Sequence, residues 1–411
     1  PVRPLFVKMP VPTLADDRPD AERLLESARA ESIEPALLYE LPGLLRGHDF
    51  QGTAIVASGR VIDFVGGAAE PPCLAAAFDV GTTTLVGELL DLRTGAIRGF
   101  ASRMNPQTVF GDDVLSRITH ASRGPEALRE VHNTVVSALN DMLAEMSGRA
   151  GVTVKSIYEV AVSGNTTMEH LFAGLNPNAL GLVPFVPVAR RGLTLEPVRT
   201  GVAMNPRGRV YVLPVIGGFV GGDTVAGIAA TGLGEAERPA LLIDIGTNGE
   251  LALIHNGRLS ATSCAAGPAF EGARISCGMR AAAGAIEAVD LGDDVQATTI
   301  GGVPPIGLCG SGLIDLAAEL LRKGMLQSQG LFVARDALPG SLAPALRDRV
   351  VEHAEGTAFV LARADETRSG RPLLLTQRDV RELQLATGAI RAGISILLKR
   401  ASLEPAQLDR V

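Results

Sequence analysis

At 411 residues the chain is longer than the range over which one hydrophobic core keeps growing, so at least two units are expected. A hydrophobic share of 46% with 20% charged residues and 47 glycines describes a globular, turn-rich chain and excludes disorder over most of it. The net charge of -7 argues against nonspecific nucleic-acid binding, and there is neither an apolar run of roughly 18 to 20 residues nor a basic segment leading into an apolar signal core. A cytoplasmic protein without nucleic-acid or membrane partners is therefore expected.

From the N-terminus, the prolines of PLFVKMPVPTLADDRPD keep the backbone extended ahead of an amphipathic helix from about Asp20, so residues 1–30 read as a linker. Residues 31–72 hold a helix over about 34–46 and strands over 53–58 and 60–65, a small middle domain with too little apolar surface for a core of its own. A three-strand meander is predicted within 74–103, then helices over about 112–120 and 125–146. A strand over 157–162 runs into SGNTTMEHLF, and another over 210–215 precedes the glycine-dense GGFVGGDTVAGIAATG. The GLGEAERP loop marks a boundary between 73–235 and 236–411, a second meander starts at Ala240, and a long helix is predicted over 377–400. Meanders alternating with helices argue for an α/β protein of two lobes built on mixed sheets.

The two meanders are copies of each other. AAFDVGTTTLVGELLDLRTGAIRG and LLIDIGTNGELALIHNGRLS each read as an apolar strand ending in Asp, then Gly-Thr, a second strand and a tight turn, at Thr94-Gly95 or Asn256-Gly257. Asp79 matches Asp244, Gly81 matches Gly246 and Thr82 matches Thr247. Glycine at such a turn lets backbone N–H groups approach phosphate oxygens, and neighbouring hydroxyls add donors. An Asp at the strand end suits hydrated Mg2+, which keeps waters and uses few carboxylates. A clamp on ATP from two sides is the expectation; for a single copy, a plain hairpin turn explains the same residues equally well.

The four cysteines, Cys73, Cys264, Cys277 and Cys309, are scattered without iron–sulfur spacing and read as buried free thiols, and the six histidines form no ligand pair. The chain starts at Pro1 and stops at Val411 after a helix and a loop, and both ends are expected to be cut points.

The duplicated hairpins resemble the phosphate motifs of the acetate and sugar kinase, heat-shock chaperone and actin (ASKHA) superfamily. Eight segments in order are similar to a narrower family, the ATP-dependent reductive activators of corrinoid proteins: DVGTTT, MNPQTVFGDDVLSRI, SGNTTMEHL, GGFVGGDTVAG, IDIGTNGEL, AAGPAFEGARISCGM, CGSGLIDL and TQRDVRELQLATGAIRAGI. The leading PLFVKMPVPTLADDRPDAERL also looks like that family's linker. The resemblance implies a two-lobed, actin-like fold, behind a linker and small middle domain. It also implies a repair activity that returns inactive cobalt(II) of a corrinoid methyl-carrier protein to cobalt(I) with ATP, Mg2+ and electrons from an iron–sulfur donor. Such activators carry an N-terminal ferredoxin-like [2Fe-2S] domain and form homodimers. No cysteine cluster precedes the linker here, so the [2Fe-2S] group is expected in a missing N-terminal domain or a separate donor protein. A closing glycine-rich segment that helps hold adenosine would follow Val411, and weak nucleotide binding by this stretch alone is expected.

Asp79 and Asp244 are the candidate carboxylates for Mg2+ and the reacting phosphate. Gly81, Thr82, Thr83 and Thr84 bracket one side of the phosphates and Gly246, Thr247 and Asn248 the other, although Thr84 also suits a plain strand position. Asp223 of GGDT is either a helix cap or a metal-facing, water-orienting carboxylate. Asn165 and Thr166 serve a cleft or merely cap a helix. Gly267, Pro268, Glu271 and the run Gly310, Ser311, Gly312 fit either a nucleotide pocket between lobes or close packing of backbones. RMNPQTVFGDDVLSRI reads as an exposed partner-facing loop or an interlobe latch, with ordinary solvated surface the stronger reading for any single charge in it. Two other functions stay open: a small-molecule kinase of the same superfamily, and a noncatalytic nucleotide-gated binding protein.

Overall fold

In the computed structural model, which describes residues 2–354 and 356–411, the chain divides into two units, Pro1–Ala229 and Ala230–Val411. The first begins with β1 (Val2–Lys8), α1 (Asp20–Ala28), β2 (Ser32–Ile33), α2 (Pro35–Leu38), α3 (Leu41–Gly47), β3 (Gln51–Ala57) and β4 (Arg60–Gly66). These strands form one sheet in the order β1-β3-β4-β2. Leu24 and Ala28, one helical turn apart on α1, pack with Leu37, Leu41 and Leu45 against Val7, Ala54, Val56 and Phe64. The segment expected to be a linker thus contributes a strand and a helix to this core. Pro4 is tolerated because β1 is an edge strand, where a missing N–H costs little.

The same unit continues with β5 (Leu74–Val80), β6 (Thr84–Asp91), β7 (Ile97–Met104), α4 (Val114–Ala121), α5 (Pro125–Arg149), β8 (Ile157–Gly164), α6 (Thr166–Phe172), β9 (Leu193–Leu195), α7 (Pro197–Thr200), β10 (Arg209–Val212) and α8 (Gly222–Ala230). They build a six-stranded mixed sheet ordered β7-β6-β5-β8-β10-β9, in which β8 runs parallel to both β5 and β10. Val131, Val135, Leu139, Met142 and Met146 recur on one face of α5 and bury against the inner positions Leu74, Ala76, Phe78 and Val80 of β5. The small sheet is tied to this one by the Tyr158 hydroxyl, which donates to Asp63 at 2.8 Å, and by Arg207, which pairs with the same carboxylate.

The second unit opens with β11 (Ala240–Ile245), β12 (Gly249–His255) and β13 (Arg258–Cys264), an antiparallel meander. Its β12–β13 turn is Asn256-Gly257 with φ of 50° and 70°, the pair of left-handed residues that a two-residue hairpin loop requires. There follow β14 (Ala285–Leu291), β15 (Val295–Thr299), β16 (Gly307–Leu308), α9 (Gly310–Arg322), α10 (Pro344–Asp348), β17 (Val350–His353), β18 (Gly356–Ala362), β19 (Leu373–Thr376) and α11 (Gln377–Ala401). After the shared meander the copies diverge: the remaining strands of this unit form two further three-stranded sheets, β15-β14-β16 and β17-β18-β19. A single core joins Leu251, Phe270, Ile286, Leu316, Phe359 and Val380. The start of α11 is fixed by a capping box in which Thr376 and Asp379 exchange hydrogen bonds, and the buried Asp379 also accepts the Ser276 N–H at 2.7 Å. Among the described residues no helix is long and apolar enough to cross a membrane.

Candidate functional site

In the first unit the site is built where strands end. β5 and β8 pair in parallel with Asp79 beside Ser163 and Val80 beside Gly164, so both chains leave the sheet at the same edge. A Cβ on Gly164 would lie 2.6 Å from the Val80 carbonyl oxygen. One on Gly221 would lie 2.4 Å from the Gly164 oxygen and 2.6 Å from the Thr166 nitrogen. These glycines let the ends of β5 and β8 and the first turns of α6 and α8 meet backbone to backbone. Asp79 is solvent-exposed there, next to the turn 81–84.

Every carbonyl of that turn is engaged from the protein side. Gly81 O accepts from Asn105 Nδ2 at 2.8 Å, Thr82 O from Arg117 Nη2 at 2.5 Å, Thr83 O from the Asn105 N–H at 2.9 Å, and Thr84 O from the Gly81 N–H at 3.0 Å. Fixing each C=O fixes the neighbouring peptide N–H groups, which is how a turn presents donors to an anion. Thr84 itself is the first residue of β6, so the strand reading of this residue holds in the structure. Asn165 caps α6, its Oδ1 accepting the Met168 N–H at 3.1 Å, while its Nδ2 donates to the Thr82 hydroxyl at 2.9 Å. The Thr166 hydroxyl donates to Gly217 O at 2.6 Å.

Asp223 lies in the first turn of α8 and its Oδ1 accepts the Thr224 N–H at 2.7 Å. Against this turn packs Glu169 of α6. This residue is 3% exposed, its Oε1 has no hydrogen-bond partner among the described residues, and a Cβ on Gly222 would lie 2.0 Å from that oxygen. Burial, with a smaller contribution from the Asp223 charge, pushes the Glu169 pKa up to about 9. The adjacent His170 is held neutral by burial: Nδ1 donates to Thr166 O at 2.6 Å and Nε2 accepts the Val188 N–H at 3.0 Å.

The second unit repeats the turn with different partners. The Gly246 N–H bonds Asn248 O at 3.1 Å, and the Gly267 N–H bonds Thr247 O at 2.8 Å, with Gly267 at φ 83° and open space where a Cβ would sit. Glu271 accepts both the N–H of Thr247, at 3.1 Å, and its hydroxyl. A carboxylate therefore takes donors that a phosphate would otherwise use. Asp244 is solvent-exposed at the end of β11, yet desolvation by surrounding protein raises its carboxyl above the usual range. Gly310, Ser311 and Gly312 are accounted for inside the unit. A Cβ at Gly310 would fall 2.1 Å from Phe270 O and one at Gly312 2.4 Å from Ile286 O, while the Ser311 hydroxyl donates to Glu287 O at 2.7 Å. Mg2+ takes one or two carboxylates, with waters and phosphate oxygens completing its shell. Asp79 and Asp244, each a single exposed carboxylate at a strand end, fit that donor set.

The segment 103–118 is exposed only in part: Met104, Val109 and Leu115 face solvent, whereas Asn105, Gln107 and Arg117 are buried, and Asn105 and Arg117 hold the turn 81–84 from beneath. Asn105, Arg117, Gly221 and Glu169 are the site residues that sequence reasoning missed. The only signal was Asn105-Pro106, a cap-and-first-turn pair whose side chain accepts the Gln107 N–H. The cysteines are free; burial holds the Cys73 and Cys277 thiols up to about 12, so both are protonated and unreactive at neutral pH.

A duplicated strand, carboxylate and glycine turn in an α/β setting defines a protein of the ASKHA class. Three family models match the chain in succession: the RACo linker region over residues 1–71, the RACo middle region over 74–236, and the C-terminal domain of RACo, the ASKHA domain, over 238–411. The chain belongs to this RACo family. It is 37% identical over 377 residues to the corrinoid activation enzyme RamQ of Eubacterium limosum, covering 91% of this chain and 62% of that one. It is 24% identical over 367 residues to the [Co(II) methylated amine-specific corrinoid protein] reductase of Methanosarcina barkeri, covering 81% and 61%. A solved structure of a reductive activator for corrinoid, iron–sulfur protein superposes with a TM-score of 0.88 at 36% identity, over 100% of this chain and 66% of that chain. The chain thus spans a little under two thirds of the length of these relatives.

Proposed function

We propose that this chain is the nucleotide-dependent part of a reductive activator that uses ATP to return a corrinoid protein from cobalt(II) to cobalt(I), with the electron supplied by an iron–sulfur donor. The observation that carries the reading is the first unit's strand-end arrangement, in which an exposed carboxylate, a turn with all four carbonyls engaged and the first turns of α6 and α8 converge. Membership of the RACo family and the functions for which its relatives are named support it.

In this reading Thr82 and Thr83 donate to the phosphates from a turn that Gly81 closes, and the turn of Gly246, Thr247 and Asn248 is the second unit's own copy of that phosphate motif. Asp79 and Asp244 hold metal-bound waters, Asp223 orients water, and Asn165 and Thr166 keep the first turn in place. Gly267 and Glu271 border the nucleotide, with Gly310, Ser311 and Gly312 behind them as packing. Bound Mg2+ would neutralise charge on the phosphates. Reduction to cobalt(I) is uphill, so the nucleotide helps only through unequal affinity of its bound forms for the cobalt(II) partner. The partner is a corrinoid methyl-carrier protein, and the working form is a homodimer.

The test uses the full-length protein with a reduced iron–sulfur donor, ATP and the corrinoid proteins encoded in the same genome. Cobalt(I) formation, followed by absorbance, should accelerate only with ATP and fall to background in Asp79→Ala. An ATP-independent rate with every partner would overturn the proposal.

A further inference from the structure

Among the described residues three arginines are buried, and two of them have carboxylate partners. Arg23 bonds Asp16 at 2.7 Å, and Arg349 lies between Asp294 and Glu366. Arg117 differs. Its side chain is 0% exposed, and its contacts are Gly111 O at 2.9 Å from Nε, Thr82 O at 2.5 Å from Nη2 and the Met168 sulfur at 3.2 Å from Nη1. Two neutral carbonyls and a thioether spread the charge but do not cancel it. Asp112 and Asp113 act on it only at a distance, and burial outweighs them, lowering its pKa to about 10, so the guanidinium remains charged at neutral pH. A buried charge without a counterion is strongly unfavourable and persists where something else completes it.

Its position relative to the turn bears on what could complete it. Arg117 sits directly behind the turn 81–84 and grips the Thr82 carbonyl. In a planar trans peptide the C=O and the next N–H point in opposite directions, so this bond fixes the Thr83 N–H on the side away from the guanidinium. One side chain thereby sets the orientation of the turn and places a positive charge beneath it. Asn105 holds the two flanking carbonyls and contributes no charge.

We propose that Arg117 is a positioning residue for an anionic phosphate group received by the turn 81–84, and that this anion supplies the counter-charge its burial lacks. The inference rests on the nucleotide reading given above and adds to it a residue outside the duplicated motif. Titration calorimetry on the full-length protein with inorganic tripolyphosphate and with adenosine as separate probes tests it, in Arg117→Gln and Arg117→Lys. The glutamine variant should lose roughly tenfold or more in tripolyphosphate affinity with adenosine affinity unchanged, the scale of one lost charge-assisted contact. The lysine variant keeps the charge without the planar fork and should fall between the two. A purely structural role predicts that lysine is as damaging as glutamine, and that result would overturn the proposal, as would equal affinity in a folded glutamine variant. If the glutamine variant fails to fold by circular dichroism, the lysine variant decides: a several-fold loss is expected, and unchanged affinity refutes the role. Wild-type protein that binds neither tripolyphosphate nor ATP would overturn the nucleotide reading, and Arg117's role with it. Binding by wild type with no effect of either substitution would remove Arg117 alone.

Discussion

Glu169→Gln should stabilise the unit Pro1–Ala229, and the gain should grow with pH. The carboxyl is buried against Gly222, has an Oε1 unsatisfied among the described residues and faces the charge of Asp223, so it keeps its proton up to about 9 instead of the ordinary 4.5. In the unfolded chain the same group loses its proton near 4.5. Between these values the unfolded state binds fewer protons than the native one, and native stability falls as pH rises. It is fully present below 4.5 and has been lost by about 9. The slope is about 1.4 kcal/mol per pH unit, which amounts to roughly 3 kcal/mol by pH 7 if no relaxation softens it. Glutamine has nearly the same shape and no proton to lose, so the variant lacks this slope. Thermal unfolding of wild type and variant at pH 5, 6, 7 and 8 should show a melting-temperature gap that favours the variant and widens at each step. A gap that stays constant, or narrows with pH, would refute the picture of a carboxyl buried in its neutral form.

Gly221→Ala should cost about 3 kcal/mol or more, because the added Cβ meets backbone atoms of 164–166 that cannot yield; a chemical denaturation midpoint equal to wild type would contradict the strand-end packing. Asp79→Asn and Asp244→Asn should each lower ATP hydrolysis by roughly a hundredfold or more in full-length protein, measured as phosphate release, and normal turnover in either would remove that carboxylate from the reaction. Glu271→Gln should strengthen ATP binding several-fold, since it takes away a negative charge that now holds the Thr247 donors. Weaker or equal binding in calorimetry would show that Glu271 serves the bound state instead.

The parts of this protein written in short range were legible in its sequence. The meanders, the helices of 125–149 and 377–401 and the Asp-Gly-Thr pairs depend on periodicity and turn chemistry within a few residues of each other. What escaped depends on partners far along the chain. Asn105 reaches back 24 residues to Gly81 and Arg117 35 residues to Thr82, and neither side chain looks unusual in its own neighbourhood. The proline-rich start concealed β1, since a lone edge strand that pairs with residues 51–57 carries no local signal of its partner. Glu169 read as an ordinary polar residue of a short helix because Gly222 of α8, against which its carboxyl packs, comes more than fifty residues later.

The seven residues of α6 and its cap are attached at three places that matter. Its cap holds the hydroxyl of Thr82, while Thr166 and His170 anchor Gly217 and Val188. A rigid rod pinned at both ends moves as one piece, so a tilt of this helix by an ångström must displace the 81–84 turn, the 217–220 corner and the strip around Val188 together. Hydrogen exchange in these three stretches, separate in sequence, should rise and fall in concert, as gears on one short axle.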